Sequence, residues 1–203
     1  MTIGDNLGSS PMASRREMSE VRRGAVMQAT EELLEANGVA SLTIRQVAER
    51  AGVAAGTVFL YADNKADLVH QVYGFQIAQR WHRLFDELEP FSPLIRVEKF
   101  FLGCVEIFYD DKDNILAYYQ AMATDSLTSL DSVESLIERI TDSLRLALES
   151  GEISPRIDPE VLAYSYQAVY SNVIMLAARG RDRSASSEVV RASIELIRYG
   201  IEP

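Results

Sequence analysis

Two histidines, one cysteine and thirty carboxylates are what this 203-residue chain offers for covalent, acid–base or metal chemistry. His70 and His82, placed on one helix, stand more than three turns apart, about 18 Å by rise per residue, too far to share a metal ion. Cys104 is alone, which excludes an intramolecular disulfide and a cysteine-based zinc site. Its neighbours Phe101, Val105 and Phe108 mark it as a buried thiol rather than a redox sensor. No G-x-S-x-G elbow, G-x-x-x-x-G-K phosphate loop, G-x-G-x-x-G fingerprint or H-E-x-x-H motif occurs. No enzyme activity, cofactor or metal is therefore expected.

The stretch around which the chain is organised runs from Ser41 to Leu68, SLTIRQVAERAGVAAGTVFLYADNKADL. Thr43 and Gln46 have the T-x-x-Q spacing of a capping box. The helix it opens carries Ile44, Val47, Ala48 and Ala51 on one face. Gly52 stops that helix, since glycine takes a left-handed C-terminal conformation without a Cβ clash. A second apolar set follows in Val53, Val58 and Tyr61, and Ala48 is small where two helices would cross. The pattern predicts a helix-turn-helix, whose second helix enters the DNA major groove.

The run TIRQVAERAGVAAGTVFLYADNKADL resembles the DNA-binding segment of the TetR (tetracycline-repressor) family. There a small-helix pair reads AGVS-x-GT-x-Y-x-(H/Y)-F and is followed by polar-Lys-x-x-Leu. Arg22 to Gly38, RRGAVMQATEELLEANG, resembles that family's first helix, so the likeness covers roughly Arg22 to Leu68. It implies phosphate contacts from Thr43, Tyr61 and Lys65, and base-edge contacts from Ala55, Gly56 and Thr57, with Phe59 beside them. Three positions depart from the pattern. Ala54 stands where a serine commonly caps the recognition helix. Phe59 replaces a tyrosine, and Ala62 replaces a bulky phenylalanine, leaving space for Leu60 or Tyr73. The first two changes remove hydrogen bonds and favour apolar readout, for example of thymine methyl groups. Arg45 can reach a phosphate or a guanine edge, and Arg22 a phosphate; for the basic group Arg15, Arg16, Arg22 and Arg23 a solvated surface is the plain alternative.

A net charge of −10 argues against a general nucleic-acid coat protein. From Met12 to Tyr61 arginines and glutamates balance, so the acidity sits in the larger C-terminal part. No apolar run approaches the ~20 residues of a membrane span, and the N-terminus lacks a signal-peptide core. A cytoplasmic protein is expected. Residues 1–18 read as a flexible tail, 19–72 as a DNA-binding domain and 73–203 as a regulatory and dimerisation domain. Ser14 or Ser19 would cap the first helix, and Val26, Ala29, Leu33 and Ala36 would form its apolar stripe. Asn64, with Asp67 three residues on, would cap a long helix carrying Leu68, Val72, Phe75, Ala78, Trp81 and Phe85 and ending before Pro90.

The remainder reads as helices throughout. Trp81, Phe85, Phe101, Phe108, Tyr118, Tyr119, Met122, Tyr166 and Tyr170 would line a cavity for a small, mainly apolar ligand, or pack as ordinary core. His82, Gln120 and Asn172 would add polar tips, and Glu98, Glu106 and Asp125 would suit a cation. Pro159 to Gly180 is apolar nearly all round and must be covered on several sides. The resemblance implies that this helix and the last one, Ser186 to Tyr199, pair with their symmetry mates, through Val169, Val173, Leu176, Val190, Ile194 and Ile197. The expected fold is all-α: a three-helix helix-turn-helix domain, a long connecting helix and a helical ligand-binding and dimerisation domain, about nine helices. The expected function is a homodimeric transcriptional regulator, a repressor that binds a palindromic operator in double-stranded DNA and is released by a small-molecule effector. A regulator without an effector, and a helical enzyme or interaction module, are the alternatives.

Overall fold

Glycine and proline punctuate a chain of helices. The computed structural model describes residues 11–123 and 131–201, and every regular element in them is helical. The all-α class follows directly. The chain forms two compact units, Met1–Tyr73 and Gly74–Pro203.

In the first unit, α1 (Pro11–Ser41) starts before Ser14 and Ser19, so residues 11–18 are helical rather than part of a tail. Pro11 suits a helix start, because its φ is fixed near the helical value and its missing N–H would be unbonded there. Gly38, at φ 76°, breaks the helix. Burial begins at Val26 and continues through Ala29, Thr30 and Leu34, while Leu33 is half-buried and Ala36 exposed. The Thr30 hydroxyl, donating to Val26 O (2.8 Å), lets a polar residue take a core position. α2 (Ile44–Ala51) is capped by Thr43, whose Oγ1 accepts from Gln46 N (3.3 Å) and donates to Gln46 Oε1 (2.7 Å). Gly52 (φ 67°) ends it in a Schellman arrangement, with Val53 N donating to Ala48 O and Gly52 N to Glu49 O. Arg50 on α2 pairs with Glu32 on α1 (2.6 Å), and that hydrogen-bonded guanidinium, with Gln28, holds the Glu32 carboxyl below the usual range.

α3 (Ala55–Val58) is a single turn, and α4 (Lys65–Val69) follows. Asn64 Oδ1 accepts from Asp67 N (2.9 Å) and Asp67 Oδ2 from Asp63 N (2.8 Å), so the α4 cap is reciprocal. The helical path then widens into a π turn, His70–Gly74, before α5 (Phe75–Glu87). The boundary between the units falls inside this turn. Across the π turn Val72, Tyr73 and Gly74 are all buried, the inward face resumes at Ile77, and Phe75, expected in the core, is 58% exposed.

The second unit packs around α6 (Pro93–Asp110), which touches α5, α7 (Lys112–Ala123), α8 (Asp131–Glu149), α9 (Pro159–Ala178) and α10 (Arg183–Ile201). Phe85, Phe100, Phe101 and Tyr166 form a continuous aromatic row with centroids 5.2–5.5 Å apart, edge-to-face until the stacked Phe101–Tyr166 pair. Glu98, buried on α6, is held by Arg198 of α10, with Nε donating to Oε1 at 2.9 Å and Nη2 to Oε2. A bidentate partner of this kind supplies the hydrogen bonds that a buried carboxylate loses with its water. Tyr109 and Arg183 tie α6 to the start of α10, the latter through Glu106 and Asp110.

Candidate DNA-reading surface and ligand cavity

The turn after α2 delivers α3 with its outer side bare. Ala54, Ala55 and Gly56 are exposed, Phe59 is 52% exposed and Leu60 75%. Only Val58 reaches the core from this turn, at 0% exposure. Leu60 therefore does not fill the space left by Ala62; Ala62 is itself buried, as is Tyr73 in the same unit. Leu60 is pushed out because Val58 already occupies the inward direction two residues earlier. Gly56 has an ordinary φ, and a Cβ there would meet nothing within 4 Å. The fold does not require glycine at that position.

Around this patch the expected phosphate-binding groups are placed as follows. Arg45, on the exposed side of α2, has no ion pair among the described residues, and neither does the exposed Arg22 of α1. Thr57 and Tyr61 are half-buried, and the Tyr61 carbonyl accepts from Gln71 Nε2 (2.9 Å). Thr43 is exposed, but its hydroxyl proton is committed to Gln46. Lys65 Nζ donates to Ala40 O (3.1 Å), which leaves two ammonium protons for another acceptor.

The second unit contains a cavity of about 190 Å³ walled by α5, α6, α7, α8 and α9. Of the aromatic and methionine residues expected there, Trp81, Phe101, Tyr118, Tyr119, Met122 and Tyr170 line it. Phe85, Phe108 and Tyr166 do not. Phe85 is enclosed by Phe100 and by Arg96, whose guanidinium lies 4.0 Å from the ring centroid. Phe108 is buried against Tyr109, and Tyr166 is stacked behind Phe101 with its hydroxyl beside Glu98. The remaining wall includes Ile77, Phe100, Cys104, Ile140, Gln167 and Ser171. Ile77 was hidden from sequence reasoning by the π-turn register, and Gln167 by lying on a helix apolar on every side. Burial pushes the Cys104 thiol well above 9.0 and the Tyr118 phenol up to about 12. Tyr119 moves the same way for the same reason, with Tyr118 and Cys104 adding to it.

The other polar candidates lie elsewhere. His82 Nδ1 accepts from Arg139 Nη1 (2.9 Å), while Gln120 and Asn172 are on the surface. Glu98 and Glu106 are occupied by Arg198 and Arg183, which removes them as cation ligands; Asp125 lies outside the described residues.

Residues 26–72 match the bacterial regulatory proteins of the tetR family. The match covers the helix-turn-helix segment of the chain. The chain is 24% identical over 177 residues to the HTH-type transcriptional regulator SrpR of Pseudomonas putida, spanning 82% of this chain and 80% of the relative. Thermus thermophilus FadR, a TetR-family transcriptional repressor solved in complex with lauroyl-CoA, shares the fold with a TM-score of 0.68 and 21% identity, over 86% of this chain and 92% of that one. A TetR transcription regulator from Haloarcula marismortui does so with a TM-score of 0.64 and 17% identity, over 90% and 98%. Among the described residues, no helix is long and apolar enough to cross a membrane.

The two C-terminal helices carry a correction. Val173, Val190 and Ile194, expected to face a partner, are 0%, 0% and 5% exposed inside the protomer, and Val169, Leu176 and Ile197 are half-buried. The exposed apolar side chains are instead Val161, Tyr164 and Met175 on α9 and Leu196 and Tyr199 on α10. A helix apolar nearly all round does not say in sequence which side its own protomer covers.

Proposed function

We propose that this chain is a homodimeric, cytoplasmic repressor that occupies a palindromic operator and leaves it when a small, mainly apolar molecule fills the cavity of the second unit. The observation that carries the DNA-reading part is the bare turn Ala54–Ala55–Gly56 with exposed Phe59 and Leu60. An exposed apolar patch on the second helix of a helix-turn-helix suits thymine methyl groups, and Arg45, exposed on the helix before it, is available to a phosphate. Two copies would present two such turns to successive major grooves, about 34–36 Å apart.

Release is supported by chain continuity. Ile77 and Trp81, on the cavity wall, sit on α5, which continues back through the π turn to α4 and Lys65. A π turn is a place where a helix can change register at low cost. Ligand and operator would then weaken each other's binding by the same factor. The lauroyl-CoA held by Thermus thermophilus FadR is not carried over, because the cavity is small and, among the described residues, its lining includes no Lys or Arg.

Selection of bound duplexes from a random DNA pool tests the reading. A palindromic winner bound at nanomolar strength, with two half-sites one helical turn apart, is expected. Recovery of only weakly bound, salt-labile sequences would refute it.

A further inference from the structure

Trp81, on the wall of the cavity, carries a hydrogen-bond donor without a partner among the described residues. Trp81 forms part of the wall, edge-to-face with Tyr170 at 6.1 Å, and is 7% exposed. Its buried Nε1–H has no acceptor among the described residues. Buried indole N–H groups ordinarily find a partner, and an unmet one costs stability.

Size and charge narrow what can supply the partner. An apolar protein cavity of about 150 Å³ is known to admit benzene. A space of about 190 Å³ therefore suits one ring with a small substituent. Among the described residues, none that lines it is Asp, Glu, Lys or Arg. Its titratable groups stay protonated well above neutrality, since burial raises Cys104, Tyr118 and Tyr119 alike. An ion brought here would lose its water without gaining a counter-charge. Ile137 and Gln167 also border the open groove between α8 and α9, where Glu134, Glu138, Asp142 and Glu160 face Arg145 alone. An anion approaching along that groove meets net negative charge.

We propose that the cavity takes an uncharged molecule of single-ring size carrying one hydrogen-bond acceptor, and that Trp81 Nε1–H donates to that acceptor. The aryl carbonyl is the simplest chemistry that meets both demands. The assignment rests on the reading of this cavity as the effector site.

Trp81 is the only tryptophan in the chain, so a single indole N–H resonance reports on the site. The full-length protein is titrated with acetophenone, with α-methylstyrene (a methylene in place of the carbonyl oxygen) and with benzoate. Acetophenone is expected to move the indole proton downfield to saturation, α-methylstyrene to cause no downfield shift, and benzoate to leave it unmoved. Calorimetry on Trp81→Phe is expected to show acetophenone affinity reduced about tenfold, with α-methylstyrene affinity unchanged. Should that variant fail to fold, the wild-type resonance decides alone. Equal shifts from ketone and hydrocarbon, saturable benzoate binding, or no shift from any of the three would overturn the assignment. Operator binding followed in parallel separates the two readings. Acetophenone bound with the operator retained upholds the ligand class and refutes release. Release by a charged compound with the indole unmoved does the reverse.

Discussion

Lys65 places a cation at the start of α4 with one of its three protons spent on the Ala40 carbonyl. If the other two meet a phosphate, Lys65→Ala lowers affinity for all duplexes alike and reduces the slope of log affinity against log salt by about one. Stability should change by less than about 0.5 kcal/mol, the usual range for a surface substitution; an unaltered slope would remove Lys65 from the contact set. Protonation makes a separate prediction. In the fold the Cys104 thiol is raised above 9.0 and the Tyr118 phenol from 10.0 to about 12, both by burial. The unfolded chain therefore loses these protons first. Their contribution to stability is complete below pH 9 and is lost as pH rises through 9 and 10 towards 12. Denaturant midpoints should be level up to about pH 8.5 and then fall, and Cys104→Val should remove the part of the fall that begins near 9. A midpoint constant to pH 11 would contradict the burial of these groups.

At the scale of elements, the π turn His70–Gly74 makes the sharpest claim. With it, Ile77 faces the core at 2% exposure and Phe75 faces out at 58%; an unbroken α-helix continuing the Leu68–Val72 face would bring Phe75 inward. Ile77→Ala should cost about 2–5 kcal/mol and Phe75→Ser less than about 1 kcal/mol. The reverse order by chemical denaturation would contradict the turn. This contrast also marks what the sequence could reveal. Thr43 with Gln46, Gly52, and Asn64 with Asp67 are legible because each cap closes within a few residues of itself, so local chemistry decides it. The all-helical class is legible from periodicity for the same reason. One inserted residue in a helix is decided by packing far along the chain, and no local signal at His70–Gly74 announces it. The cavity lies between. Its aromatic residues stand out by type, but Phe85, Phe108 and Tyr166 are of the same type and are packed solid, because only the arrangement of five helices separates wall from filling.

The whole molecule is proposed to act as a pair. The side chains available for pairing are those that the protomer leaves uncovered on α9 and α10, among them Met175, Leu196 and Tyr199. Leu196→Glu should shift the protein to monomer in sedimentation while leaving the helical signal intact, because an exposed position tolerates a charge. Val190→Ala, inside the protomer, should lower stability instead. A Leu196→Glu protein that stays dimeric would move the interface elsewhere. Half-site spacing in the operator follows from the pairing, so loss of the dimer should weaken the palindrome far more than an isolated half-site.

The central claim is that the bare turn of α3 reads DNA, and Gly56 tests it most directly. The fold leaves room for a Cβ there and does not hold the backbone in a glycine-only conformation. In a helical turn alanine is, by itself, favoured over glycine by about 0.5–1 kcal/mol. Operator titrations and thermal melts of wild type and Gly56→Ala, measured together, separate fold from contact. The account predicts a melting temperature equal to or above wild type, with operator affinity reduced at least about tenfold, the loss of roughly one good base contact. Unchanged affinity at unchanged stability would contradict it.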